Sequence, residues 1–124
     1  MSDVLIKAVR LLNTANGGCT FQHGYIANTV FVSAKGFFAQ TYVEEYQKVA
    51  HPAPRRQYVV TLSGTLRFKV TNGDTFIIEP GTVLLAEDTE GTGHTWELIK
   101  GERWERIYIV LDDGAESHFV PQEA

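Results

Sequence analysis

Histidine is the side chain whose neutral ring nitrogens accept a proton or a metal near neutral pH, and the chain carries four, His23, His51, His94 and His118. His51 opens the run His51-Pro52-Ala53-Pro54-Arg55-Arg56-Gln57, and His94 follows the acidic, glycine-rich stretch Glu87-Asp88-Thr89-Glu90-Gly91-Thr92-Gly93. A guanidinium fork holds a carboxylate or phosphate through paired hydrogen bonds, so Arg55 and Arg56 are matched to a small acidic molecule. In an alternating strand Arg55 shares the side of Gln57 and Arg56 faces away; a salt bridge to Glu87 or Asp88 is the alternative use of either. Glu87 and Asp88 read as solvated turn residues, with Asp88 bonding the backbone of its own loop. His23, in Phe21-Gln22-His23-Gly24-Tyr25, has no context that fixes its direction, and His118 receives no role.

The elements that must position these residues are strands. From Val30 onward the chain alternates short β-prone runs with Gly, Asn, Asp and Pro, and no long segment has a helical period. Gln57–Leu62 is the clearest strand. Ser63-Gly64 closes it and Thr65–Val70 follows as its hairpin partner, with Asn72-Gly73 supplying the next turn toward a strand over Thr75–Ile78. Glu79-Pro80-Gly81 ends that strand, and Val83–Ala86 resumes extended structure. His94–Ile99 and Trp104–Leu111 are two more strands, separated by a turn at Lys100-Gly101-Glu102-Arg103. Phe31 and Phe37–Val43 mark further strands, Glu44–Val49 a polar connection, and Ile6–Leu12 a strand at the N-terminus. Period two places Gln57, Val59 and Thr61 on one face and Tyr58, Val60 and Leu62 on the other. Trp96 and Trp104 are large enough to wall a pocket or to fill a core.

With 124 residues, 44% hydrophobic and 11% aromatic, the chain is expected to form one folded domain over 1–124, with its centre at about 30–111 and a loosely packed tail at 112–124. Eleven Lys and Arg against fifteen Asp and Glu leave a net charge of −4, which argues against a nucleic-acid partner. The single Cys19 forms no intrachain disulfide and no thiolate metal cluster. No apolar run approaches the roughly 20 residues of a membrane helix. The segment Met1-Ser2-Asp3-Val4-Leu5-Ile6-Lys7 carries an acid where an export signal carries basic residues. A soluble, cytoplasmic protein without a membrane partner is the expectation.

The segment from His51 to Trp96 resembles the cupin family. Its first motif has two His separated by one residue, then an acidic residue, then a Gly seven positions later. Gln57 stands where the acid belongs, ahead of Gly64; His51 matches the first His, and Ala53 occupies the position of the second. Pro80-Gly81 followed by His94 resembles the second motif. The resemblance implies an all-β, cupin-like double-stranded β-helix, a jelly-roll barrel whose inner positions line a small-molecule cavity, and a homodimer. It further implies that His51, Gln57 and His94 converge on the interior, where two imidazoles and an amide oxygen would hold a divalent metal such as Fe, Mn, Ni, Cu or Zn, with Glu87, Asp88 or His23 as candidates for a missing ligand. Arg55, Val59, Thr61 and Trp96 would then contact substrate. The function expected is binding of a small polar or acidic metabolite, with metal-dependent oxygenase, isomerase or lyase chemistry, or metal-free proton transfer using His94 as base and Gln57 as oxyanion donor. The alternative is a metal-free binding or sensing module without catalysis.

Overall fold

A computed structural model of the chain describes residues 4–122. The first residues of the N-terminal segment and the last two of the tail lie outside it. Eight strands form one mixed sheet: β1 (Ile6–Asn13), β2 (Cys19–Ile26), β3 (Ala34–Gln40), β4 (Gln57–Lys69), β5 (Thr75–Ile78), β6 (Thr82–Ala86), β7 (Thr95–Leu111) and β8 (Phe119–Pro121). Their order is β3-β7-β4-β6-β1-β2-β8, with β5 also on β4. Only the β1–β6 pair is parallel among the described strands. A short 3-10 helix (Glu45–Lys48) interrupts the polar connection after β3. Among the described residues no helix is long and apolar enough to cross a membrane.

Two expected turns are bends inside long strands. Ser63-Gly64 does not close a hairpin: β4 runs on for 13 residues. Likewise β7 runs for 17 residues through Lys100-Gly101. The two pair along both halves, from Gln57 with Val110 to Lys69 with Thr95, and the register shifts between Thr61 and Leu66. On its other edge β4 holds β6 along Gln57–Val60 and β5 along Leu66–Lys69. Bulges bend a strand and raise its twist, so the paired strands turn from one set of neighbours to the next without breaking. Glycine makes this possible: Gly64 has φ +94, and a Cβ there would lie 2.7 Å from the Arg103 carbonyl oxygen.

Alternation along the strands separates two cores. Val9, Leu11, Val59, Leu84, Phe68, Phe76, Trp104 and Tyr108 pack in one cluster with Cys19. Their sequence neighbours Ala8, Tyr58, Val83 and Leu85 join Leu111 and Phe119 in the other. The second cluster anchors part of the tail that was expected to be loosely packed. Phe119 is buried, β8 pairs with β2, and the Tyr58 hydroxyl donates to the Ser117 carbonyl at 2.7 Å. Strand β2 carries no clean alternation of apolar and polar residues, and the sequence reading left it unassigned.

Candidate functional site

His51 and His94 lie outside the regular strands and meet as a two-residue bridge. The His51 amide donates to the His94 carbonyl at 3.0 Å and the His94 amide to the His51 carbonyl at 2.9 Å. Gly93 lets the two segments approach. Its φ is +77, and a Cβ would fall 1.9 Å from the His51 carbonyl oxygen, a separation no side chain tolerates. The loop before it is fastened to the β1–β2 turn, since Asn13 donates to the Glu90 carbonyl at 2.5 Å and the Thr92 amide donates to the Gly17 carbonyl at 3.2 Å. The backbone thus sets the two imidazoles side by side, ring centres 4.7 Å apart.

Each ring has its Nδ1 engaged. His51 Nδ1 lies 2.8 Å from the Val49 carbonyl oxygen and therefore carries the proton. His94 Nδ1 lies 2.6 Å from Asp88 Oδ2, with His94 and Asp88 only 6% and 0% exposed. A carboxylate in that position fixes the Nδ1–H tautomer and leaves Nε2 as the basic nitrogen. Burial lowers the pKa of His51 first; the Val49 bond raises it, and the neighbouring His94 lowers it. In the neutral Nδ1–H tautomer each ring presents Nε2 as its acceptor.

The sequence reading of Asp88 as a solvated turn residue is corrected here, because the side chain is wholly buried and holds His94. Cys19 shares the same oxygen, its Sγ donating to Asp88 Oδ2 at 3.4 Å. Burial, then the charge and hydrogen bond of Asp88, push the thiol pKa far up, so it remains a protonated donor. Cys19, Asp88 and His94 place ligand-type atoms within 4.8 Å of one another. In this arrangement hydrogen bonds hold them together. Glu87 faces elsewhere, where Arg56 donates to it at 2.7 and 2.9 Å and Arg10 lies 3.7 Å away. Arg56 therefore takes the salt-bridge alternative. His23 is an exposed β2 residue against Phe21 and does not line the cavity.

One cavity collects most of the expected site residues: His51, Gln57, Val59, His94 and Trp96 all line it. Its room for the centres of water-sized molecules is about 30 Å³, enough for about two waters or one compact polar group. Arg55 reaches its edge, donating to Gln57 Oε1 at 3.0 Å. That bond turns the Gln57 amide so that its N–H groups remain for the cavity. Thr61 is buried but does not line the space; its hydroxyl accepts the Trp104 indole N–H at 3.0 Å and steadies the wall from behind. Tyr46, Gln47 and Tyr108 also line the cavity and are not among the site residues the sequence suggested. For Tyr108 a signal lies in β7, where Trp104, Arg106 and Tyr108 alternate on one face and Arg106 interrupts an otherwise apolar set; Tyr46 and Gln47 lie in the 3-10 helix of the polar connection, where no such pattern marks them.

Comparison of the chain with family models, curated proteins and solved structures returns no match.

Proposed function

We propose that this chain is a cupin-like double-stranded β-helix that binds a small polar or acidic metabolite in its cavity and transfers a proton on it, as an isomerase or lyase does. The buried Asp88–His94 hydrogen bond carries the reading. A carboxylate on Nδ1 makes Nε2 a general base and stabilises the imidazolium that forms. In an enolisation His94 Nε2 takes a proton from the carbon beside a carbonyl. The C–H electron pair becomes the new C=C bond, and the carbonyl π electrons move to oxygen, where the Gln57 N–H groups meet the developing charge. In a substrate with a C=C conjugated to the enolate, return of the proton to the far carbon shifts that double bond and completes an isomerisation. Loss of a leaving group with its electron pair from the carbon next to the deprotonated one, as the C=O re-forms, completes an elimination. The partner set that goes with this reading is a small-molecule ligand and a second copy of the chain. The single buried thiol agrees with a reducing cytoplasm.

The test is solvent deuterium incorporation into small 2-oxo and 2-hydroxy acids, followed by NMR. Wild type should exchange and His94→Gln should not, while its thermal unfolding stays cooperative. Ligand-dependent stabilisation without exchange would instead establish a binding module.

A second reading is supported by the two free Nε2 atoms, which are a fitting pair of donors for a divalent metal such as Fe, Mn, Ni, Cu or Zn. Gln57 fits less well, because its oxygen already faces the Arg55 guanidinium. A metal held by His51 and His94 would supply Lewis-acid chemistry. Plasma mass spectrometry after chelator-free purification decides it: near-stoichiometric metal that disappears in the His51→Ala, His94→Ala variant would favour this reading.

A further inference from the structure

Arg106 is 1% exposed and forms no ion pair with any described carboxylate. Its N–H groups end on neutral acceptors instead. Nε donates to the Tyr108 hydroxyl at 3.1 Å, Nη1 to the Trp104 carbonyl at 2.9 Å, and Nη2 to the side-chain oxygens of Gln40 at 2.9 Å and Gln47 at 3.4 Å. The guanidinium also lies 4.5 Å over the Trp104 ring. Neutral acceptors and a π face reduce the cost of burial but leave the charge uncancelled, and buried charges are ordinarily paired. A positive potential therefore persists behind the cavity wall.

Tyr108 brings that potential to the cavity. Its hydroxyl accepts from Arg106 Nε and, at 3.3 Å, from Gln47 Nε2. The Gln47 amide has only this orientation, since its oxygen accepts both the Glu44 amide at 2.8 Å and Arg106. Both acceptor positions of the Tyr108 oxygen are thus occupied. Its own proton is claimed by no described residue, although the side chain is only 6% exposed and lines the cavity. A phenol that accepts from a guanidinium is polarised as a donor and is matched to an anionic oxygen.

We infer that the Tyr108 wall of the cavity is a carboxylate subsite: an oxygen of a small monocarboxylate accepts the Tyr108 O–H, with Arg106 as its buried counter-charge. The inference rests on the reading of this cavity as the ligand site and adds the charge class of the ligand. A carboxylate there faces the Nε2 atoms of His51 and His94 across the same space. Arg106 acts through Tyr108 and is a positioning residue.

The experiment is an NMR titration of the isotope-labelled full chain with acetate and with its neutral isostere acetamide. Acetate is expected to shift the amides of Gln47, Gln57, His94 and Tyr108, and acetamide to leave them in place. Tyr108→Phe keeps the ring in the core and removes only the donor, so it should weaken acetate binding by about tenfold or more. Arg106→Met also removes links between β7, β3 and the 3-10 helix, so Tyr108→Phe is the decisive variant. Equal binding of acetate and acetamide, no acetate binding, or unchanged acetate affinity in Tyr108→Phe would each overturn the subsite. His94→Gln separates the two claims. Retained acetate binding with lost deuterium exchange supports both, whereas retained binding and retained exchange removes His94 as base and leaves the carboxylate subsite standing.

Discussion

Two neighbouring imidazoles have different surroundings because their Nδ1 atoms meet different acceptors: a carboxylate for His94 and a peptide carbonyl for His51. Only the carboxylate can balance a charge that forms on its ring. Asp88→Asn is therefore expected to lower deuterium exchange by on the order of 10²–10⁴-fold while acetate still binds, which parallel exchange and titration measurements would check. His51 gives a pH signature of a different kind. Its folded pKa is depressed below the ordinary histidine value of 6.5, so below that pH the unfolded chain takes up its proton first and stability falls. At higher pH both states are neutral and the contribution vanishes. One proton gives a slope of at most about 1.4 kcal/mol per pH unit. Denaturant unfolding between pH 5 and 7 should show this acid limb, and His51→Gln should flatten it. His51, Gln57 and His94 line one cavity; the resemblance to cupins implies that convergence, whereas strand alternation alone gives Gln57 and Val59 a common face and leaves both imidazoles undirected. Asp88 was not legible, since an acid in a glycine-rich loop looks the same whether it faces water or an imidazole. Arg106 and Tyr108 alternate with Trp104 along β7, and alternation marks a face without saying what lies across it.

Among the elements, the long strands β4 and β7 and the loop ahead of β7 do the positioning. Ser63-Gly64 and Lys100-Gly101 carry the local chemistry of turns, and sequence alone reads them so. What makes them bends is non-local, because each strand finds the other on both sides of its glycine. The strand rhythm of β4 to β7 was readable, as was the Asn72-Gly73 turn, whose Gly73 amide donates to the Val70 carbonyl at 3.0 Å. The glycines themselves divide by surroundings. Gly81 has φ +100 and open space around the position of a Cβ, so Gly81→Ala should cost only about 1–2 kcal/mol, the price of a left-handed alanine. Gly93→Ala adds a collision with the His51 backbone to the same strain. It should cost well above ~2 kcal/mol and separate His51 from His94. Chemical denaturation of both variants, with the His51 and His94 amide shifts as a second readout, tests the difference.

At the scale of the whole molecule, the β3 edge is where self-association can be tested. Strand β3 pairs with β7 on one side, and its other edge pairs with no described strand. Phe37 on this strand is 74% exposed, and Phe31 just before it is 101% exposed. Natural sheets blunt such edges with charge, proline or a covering element, and contiguous exposed apolar residues mark contact surfaces. β3 has one lysine, Lys35, near its start, and two adjacent phenylalanines at Phe37-Phe38. Edge-to-edge pairing of two copies would satisfy the open backbone groups and cover these rings. It would also press on the site, because Phe38 stacks on Tyr108 at 4.9 Å and lies under the Arg55 guanidinium at 5.8 Å. Sedimentation equilibrium at tens of micromolar should therefore give twice the 13.8 kDa of one chain. Phe37→Glu places a charge on the edge and loses no buried contact in the single chain, so it should give a folded monomer with stability within about 0.5 kcal/mol of a wild-type protomer. If wild type sediments as a monomer, the β3 edge is not a self-association surface. If Phe37→Glu remains a dimer, the copies meet elsewhere. Acetate affinity that falls in step with dimer dissociation would tie the association to the Tyr108 wall through Phe38.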